Sequence, residues 1–322
     1  GVRMPDTRLT EEQESLRKTV EAFAREVVAP VAAAYDEART FPYPVVAGMA
    51  EMGLFGLPFP ESYGGQGADY FALCLAIEEL ARVDSSVAIT LEAAVGLGAM
   101  PIHRFGSEAQ KQQWLPLLAA GQALGAFGLT EPGAGSDAGG TRTTARLEDG
   151  QWVVNGSKAF ITNSGTDITR LVTVTAVTGR TAAGGKEISS ILVPVPTPGF
   201  TAGPAYSKVG WHASDTHPLT FDDVRVPEEN LLGERGRGYA NFLQILDEGR
   251  IAISALAVGL AQGCVDESVK YAREREAFGR PIGQNQAIAF KIAEMEARAY
   301  VARTAYYDAA AKMLAGRSFK KE

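Results

Sequence analysis

Two residue types are scarce in this 322-residue chain, which holds 2 cysteines and 3 histidines. Cys74 and Cys264 stand far apart, each in a stretch with helical apolar spacing. They read as buried free thiols of a reducing compartment rather than as a disulfide or half of a metal site. His103, His212 and His217 have no further ligands at metal spacing, so His103 reads as structural and the other two as structural or solvent-facing. A basic excess is missing too. The 31 Lys and Arg are outnumbered by 38 Asp and Glu, for a net charge of −7, which argues against a nucleic-acid-binding surface. The longest apolar run, Ile251 to Ala261, is far shorter than the ~20 residues of a membrane span. The opening Gly1-Val-Arg-Met-Pro5 has no apolar signal-peptide core. No internal repeat and no low-complexity tail occur. A cytoplasmic location is expected, with no membrane span and no nucleic-acid partner.

What is present suits a folded enzyme. Hydrophobic types make up 46% of the residues, with 14 Phe, 10 Tyr and 3 Trp, enough for a sizeable core. The length predicts roughly two to three domains. Residues 1–121 read as helices. Thr10-Glu-Glu-Gln13 is a capping box, followed by Leu16, Val20, Phe23 and Val27 at helical spacing, with a boundary near Pro30. The passage from Phe41-Pro-Tyr-Pro44 through Leu57-Pro-Phe-Pro60 to Tyr63-Gly-Gly-Gln-Gly67 is punctuated as loop. Asp69 caps a helix through Ala81, and Ser107-Glu-Ala-Gln110 is a second capping box opening a helix through Leu118. Residues 122–233 read as strands. Glu148-Asp-Gly150 marks a hairpin, Asn155-Gly156 a turn before a new strand from Lys158 to Thr162, and Gly184-Gly-Lys186 an exposed tip. Residues 234–322 return to helix, with Ile288, Ile292, Met295 and Ala299 as one core stripe.

The most informative stretch is Phe127-Gly-Leu-Thr-Glu-Pro-Gly-Ala-Gly-Ser-Asp137, paired with Lys158-Ala-Phe-Ile-Thr-Asn163. Pro132 forces Glu131 out of the helical region. Gly133 and Gly135 allow a sharp turn and close approach to a ligand. Thr130 and Ser136 place hydroxyls on either side of the bend. Phe160 and Thr162, two apart, would share one face of a regular strand. A ring to lie against, hydroxyls, amides and glycines are what a flat heterocycle needs. A Rossmann phosphate loop fits badly, because the glycines at 133, 135, 139 and 140 have the wrong spacing and Thr141-Arg-Thr-Thr144 is no helix opening.

These two motifs closely resemble the acyl-CoA dehydrogenase family. So do Val209-Gly-Trp-His-Ala-Ser-Asp-Thr216, Phe221-Asp-Asp-Val-Arg-Val-Pro227 and Arg273-Glu-Arg-Glu-Ala-Phe-Gly279. The motifs keep the family's order over the whole length, nearest to the short-chain-like branch. The resemblance implies an α+β multidomain fold: an N-terminal helical domain (1–121), a central β-barrel-like or sandwich domain (122–233) and a C-terminal helical bundle domain (234–322). It implies FAD, lined by Phe127, Leu129, Thr130, Ser136, Phe160, Ile161 and Thr162. Phe160 stands where many relatives carry Trp, and His212 where many carry Arg. Ser136, Asp247 and Arg250 match positions that touch the CoA ester. Arg275, Phe278 and Gln286 match positions that reach the flavin's adenosine-diphosphate part on a neighbouring subunit, which implies a homotetramer.

The activity so implied is α,β-dehydrogenation of an acyl-CoA, a step of fatty-acid β-oxidation, with electrons leaving to an electron-transfer flavoprotein. A carboxylate must take the α-proton. In most branches it is a Glu near the chain end, and no matching Glu occurs before Glu322. One branch places its base where this chain has Gly249. The chain is therefore expected to continue past Glu322; if it does not, little dehydrogenation is expected. An acyl-CoA oxidase or flavin monooxygenase of the same architecture, and a non-catalytic acyl-CoA-binding subunit, are the alternatives.

Overall fold

The structure, a computed structural model, describes residues 8–322; the Gly1–Pro5 opening lies outside them. The N-terminal part comprises α1 (Glu11–Phe23), α2 (Ala29–Ala38), α3 (Tyr43–Glu51), α4 (Tyr70–Ala81), α5 (Ser85–Glu92), α6 (Met100–Phe105) and α7 (Glu108–Ala119). Both capping boxes form. The Thr10 hydroxyl accepts from the Gln13 amide at 3.1 Å, while Gln13 Oε1 accepts from the Thr10 amide at 3.0 Å. Ser107 and Gln110 repeat the pair at 3.2 and 3.0 Å. Asp69 accepts from the Ala72 amide at 2.8 Å to open α4.

Two expectations fail here for stated reasons. No boundary lies at Pro30, because α1 continues through a π turn, Ala24–Val28, into α2. The Ala29 N–H reaches back to Ala24 O, and this wider ladder carries the helix past a residue with no N–H of its own. The Pro/Gly passage also holds α3, which has a proline in its first turn, where the missing N–H would have no intrahelical partner anyway.

A second π segment, Ala93–Ala99, joins α5 to α6. The resulting Ser85–Phe105 stretch (21 residues, mean hydropathy 1.4) and Gly238–Glu274 (37 residues, 1.2) are long and apolar enough, by length and composition, to cross a membrane. In the first, 89% of the apolar window is buried inside the protein, against 39% in the second.

Strands β1 (Leu124–Gly128), β2 (Thr144–Glu148), β3 (Gln151–Thr162), β4 (Thr169–Arg180), β5 (Lys186–Pro194), β6 (Phe200–Ala202), β7 (Thr216–Pro227) and β8 (Leu231–Leu232) form one sheet. Its order is β6-β7-β3-β2-β4-β5-β8, with β1 also paired to β4. β1 and β2 run parallel to β4, and the other pairs are antiparallel. Trp152, Val154, Val172, Val174, Ile191, Leu219 and Phe221 form its core. The expected hairpin turn forms at Asp149 (φ 50°) and Gly150 (φ 75°), a left-handed pair suited to a two-residue connection.

The turn expected at Asn155-Gly156 does not form. β3 runs through it, and the register with β7 shifts between Val154 and Gly156 and again between Lys158 and Ile161. Gly156 has φ +147°, and a Cβ there would lie 2.4 Å from Thr143 Oγ1. The glycine marks a bulge with close neighbours rather than a chain reversal.

The C-terminal part is α8 (Gly238–Glu274), a short hairpin of β9 (Glu276–Ala277) and β10 (Arg280–Pro281), and α9 (Gln286–Leu314). In the expected α9 stripe only Ala299 is buried; Ile288, Ile292 and Met295 are half-buried. Cys74 is buried as expected, but Cys264 is exposed, and both thiols are free.

Two compact units result: the described residues of Gly1–Ala34 with Asp69–Ile89 and Arg250–Glu322, and Tyr35–Ala68 with Thr90–Gly249. In the first, the buried carboxylates of α4 find partners. Glu78 accepts from Arg303 Nε at 3.2 Å and Tyr306 Oη at 2.5 Å, and Glu79 from Arg17 at 3.2 Å.

In the second unit the π segment lies against β1 through two glycines. A Cβ at Gly98 would stand 2.4 Å from Gly125 O. Gly98→Ala is expected to destabilise the fold by ~1–3 kcal/mol through overpacking, read as a lower urea midpoint. An unchanged midpoint would show that the helix and strand can part freely.

Candidate functional site

The two motifs meet because β1 and β3 are tied at their ends. The Ala159 amide donates to Thr130 O at 2.8 Å. One residue earlier, Lys158 turns inward and its Nζ donates to Leu129 O at 3.1 Å. The chain then reverses between Glu131 and Ala134, each amide donating to the other's carbonyl at 3.0 Å. This sets Phe127, Leu129 and Thr130 beside Phe160, Ile161 and Thr162.

An ion pair lies beneath this junction. The Lys158 side chain is 0% exposed and that of Glu131 5%, with Nζ 3.1 Å from Oε2. Lys158 also donates to Thr175 Oγ1 at 3.2 Å. Glu131 accepts from the Arg142 amide at 2.5 Å and from the Thr143 amide and hydroxyl at 3.0 and 2.7 Å. Burial pushes the Glu131 carboxyl up, but the Arg142 amide, the Lys158 charge and the Thr143 donors outweigh it and hold it below its ordinary value. Burial pulls the Lys158 ammonium down to about 8 against the pull of Glu131, so both groups are charged at neutral pH. With every lone pair and proton placed, the buried pair meets the condition under which such a pair is tolerated.

The regular alternation expected for Phe160 and Thr162 is broken by the second irregularity of β3. Phe160 takes φ +59° and leaves its ring 65% exposed. Ile161 is buried and Thr162 half-buried. Tyr206, which no motif marked, lies against Phe160 with ring centroids 4.7 Å apart and 31° between planes. Phe127 is buried against Phe242, centroids 3.9 Å apart, in a cluster with Leu129 and Ala138. Thr130 is half-buried and Ser136 exposed. Nothing lies within 4 Å of a Cβ built at Gly133 or Gly135.

Asn163 follows at φ 61°. Its Nδ2 donates to Thr90 O at 3.1 Å, while its buried Oδ1 has no hydrogen-bond partner. On α8, Asp247 is half-buried and Arg250 exposed. Arg250 belongs to the other compact unit, as do Arg275, Phe278 and Gln286, and these three are also exposed; Phe278 is fully so, at φ 54°.

These features fit a flavin. The exposed, tyrosine-backed Phe160 ring offers a stacking face, and Thr130 and Thr162 flank it with hydroxyls. The open Gly133–Gly135 backbone leaves room for a close approach, and Asn163 Oδ1 is an acceptor in want of a donor.

Among the described residues no group of three His, Cys, Asp or Glu side chains could hold a metal ion. His217 bonds to Asp215 Oδ1 at 2.7 Å and Gly203 O at 2.6 Å, and His212 to Lys208 O at 3.0 Å. His103 stands edge-on to Phe59, ring centroids 5.6 Å apart.

The family signatures described as acyl-CoA dehydrogenase N-terminal, middle and C-terminal domains match residues 10–122, 126–224 and 236–322. The chain is 47% identical to the probable acyl-CoA dehydrogenase YngJ of Bacillus subtilis, over 98% of this chain and 82% of that protein. It is 44% identical to the mitochondrial short-chain specific acyl-CoA dehydrogenase of Mus musculus, over 89% of this chain and 69% of that protein. Similar solved structures include butyryl-CoA dehydrogenase from Megasphaera elsdenii (TM-score 0.93, 40% identity, 98% of this chain and 82% of that one). Another belongs to a study of the electron transferring flavoprotein of Acidaminococcus fermentans (0.93, 41%, 98% and 82%). The C-terminal match extends to residue 322, and the chain spans 82% of the length of the Bacillus relative and 69% of that of the mouse relative.

Lys158→Met would strand the Glu131 carboxylate and is expected to destabilise the fold by ~3–5 kcal/mol, with flavin lost on gel filtration. Because the Glu131 pKa is lowered on folding, its contribution is complete above its unfolded value of ~4.3 and fades as pH falls through the lower folded value. A plot of urea midpoint against pH should therefore drop more steeply below that point in the wild type than in Glu131→Gln. Parallel curves would remove Glu131 as the cause.

Proposed function

Because this chain belongs to the acyl-CoA dehydrogenase family, whose members use FAD to oxidise acyl-CoA thioesters to trans-2-enoyl-CoA, we propose that it acts on short acyl chains through the β1–β3 site. Its relatives named short-chain and butyryl-CoA dehydrogenases support the chain length. The observation that carries the site is the Ala159–Thr130 bond beside the Lys158–Glu131 pair, because together they hold the two motifs side by side.

FAD, when bound, supplies the acceptor for the β-hydride. Thr130 and Thr162 offer hydroxyls to its polar edge, with Phe127, Leu129 and Ile161 forming the apolar floor. Phe160, held against Tyr206, covers a ring face and excludes water. Ser136, at the open turn, contacts both cofactor and the pantetheine arm, and Asp247 and Arg250 hold the CoA part from α8. The thioester's α-proton passes to a carboxylate, and hydrogen bonds to the thioester oxygen stabilise the enolate character that develops.

Exposed Arg275, Phe278 and Gln286 suit contact with the adenosine-diphosphate part of FAD on a neighbouring subunit, in a homotetramer. An electron-transfer flavoprotein is the electron acceptor, consistent with the study in which a similar chain was solved. Two free thiols fit a reducing cytoplasm.

Anaerobic addition of butyryl-CoA to the FAD-loaded protein is expected to bleach the flavin band. A spectral shift without bleaching would mark a binder instead, and protein that takes up no FAD would end the reading. Arg250→Gln is expected to weaken butyryl-CoA binding by about tenfold, the scale of one charged hydrogen bond, with FAD content unchanged. Equal affinity would free Arg250 from the CoA role.

A further inference from the structure

Among the described residues, the buried carboxyls Glu78, Glu79 and Glu131 are all paired, but Glu92 is not. Glu92 ends α5 where the π segment begins, and it is 3% exposed. Among the described residues it has no hydrogen-bond or ion-pair partner. Burial alone pushes its carboxyl up to about 8, so at neutral pH it is mostly protonated and can both donate and accept. A buried polar group without a partner is rare in folded proteins and unfavourable.

Its surroundings give it a direction. Gly249 on α8 is itself buried. Yet a Cβ built there would meet one described atom within 4 Å beyond its own helix backbone and chain neighbours, Glu92 Oε1 at 3.7 Å. The buried glycine thus leaves room for at least a methyl-sized group in contact with the carboxyl. Phe242, Leu246 and Gly249 follow one another at i, i+4 and i+7, on one face of α8. The first two pack in the cluster that holds Phe127, Leu129 and Leu97. That apolar face therefore leads from residues at the flavin site to the glycine and the carboxyl. The bond from Asn163 to Thr90 O ties the end of β3, next to Thr162, to the same helix two residues before Glu92.

We propose that Glu92 is a specificity-determining residue whose carboxyl hydrogen-bonds a hydroxyl, amide or amine carried on the acyl part of the thioester, lodged in the space before Gly249. The inference rests on the acyl-CoA reading and narrows it, from short acyl chains to short acyl chains bearing a polar group. An alkyl tail would desolvate the carboxyl and return nothing, whereas a polar tail completes its bonding. Sites built to bond a polar group discriminate strongly against analogues that lack it.

Calorimetric titration of the FAD-loaded full chain with 4-hydroxybutyryl-CoA and with butyryl-CoA tests this by binding alone. The wild type is expected to bind the hydroxy ligand at least tenfold more tightly. Glu92→Leu should abolish that ratio while tightening butyryl-CoA, and Glu92→Gln, which can still bond, should keep part of it. A structural role would shift both affinities together and leave the ratio intact, and that result would overturn the proposal. If Glu92→Leu does not fold, the wild-type ratio decides: butyryl-CoA bound as tightly as its hydroxy counterpart overturns the assignment. Binding of neither thioester would instead overturn the acyl-CoA reading, and this inference with it.

Discussion

The ion pair of Lys158 and Glu131 holds the candidate site together. A lysine with no exposed surface in the middle of a sheet would be strongly unfavourable alone, and so would the glutamate. Together, with the Leu129 carbonyl, Thr175 and the amides of Arg142 and Thr143, they form a closed set of bonds. The bonds reach three segments: the end of β1, β4, and the chain leading into β2. The pair therefore works as a clamp that fixes where the Thr130 turn stands against β3. Its value lies in placement more than in net stability, since a buried pair gains little over an apolar replacement of the same shape.

Local departures from ideal geometry serve the same end. β3 is irregular twice, at Gly156 and around Phe160, and the second irregularity turns a large aromatic ring outward while its neighbours stay buried. The helix from Ser85 to Phe105 is widened by a π segment that contributes Thr90 and Glu92 on its approach and Gly98 at its contact with β1. Such widened turns gather at functional sites because they re-aim side chains without ending the helix. Just before the segment here, the carbonyl of Thr90 meets Asn163 and the carboxyl of Glu92 lies near Gly249.

α8 changes character along one face. Phe242 and Leu246 complete the apolar wall behind Phe127. Gly249 interrupts that wall with no side chain, leaving the Glu92 carboxyl 3.7 Å from where its Cβ would stand. An i, i+4 repeat explains the wall. The glycine is a poor helix former at that place, and the open ground it leaves beside a buried carboxyl gives it a use.

Much of this was legible in the residues. Capping boxes at Thr10 and Ser107, the Asp149-Gly150 turn and the paired motifs at 127–137 and 158–163 are local signals, each spelled by side chains close together in sequence. Composition and the order of motifs were enough for the helix–strand–helix succession and the family. The failures share a cause: Pro30 inside a helix, Gly156 inside a strand and Phe160 off the strand's alternation all depend on what lies across from them. So do the Tyr206 ring beneath Phe160, the exposure of Cys264 and the meeting of Glu92 with Gly249. Sequence by itself determined which segments can form and which chemistry they carry, because propensity, capping and hydroxyl placement act within a few residues. Only the tertiary structure decided which carboxyl is paired and which is left open. Desolvation and hydrogen-bond satisfaction depend on neighbours that can be far apart along the chain.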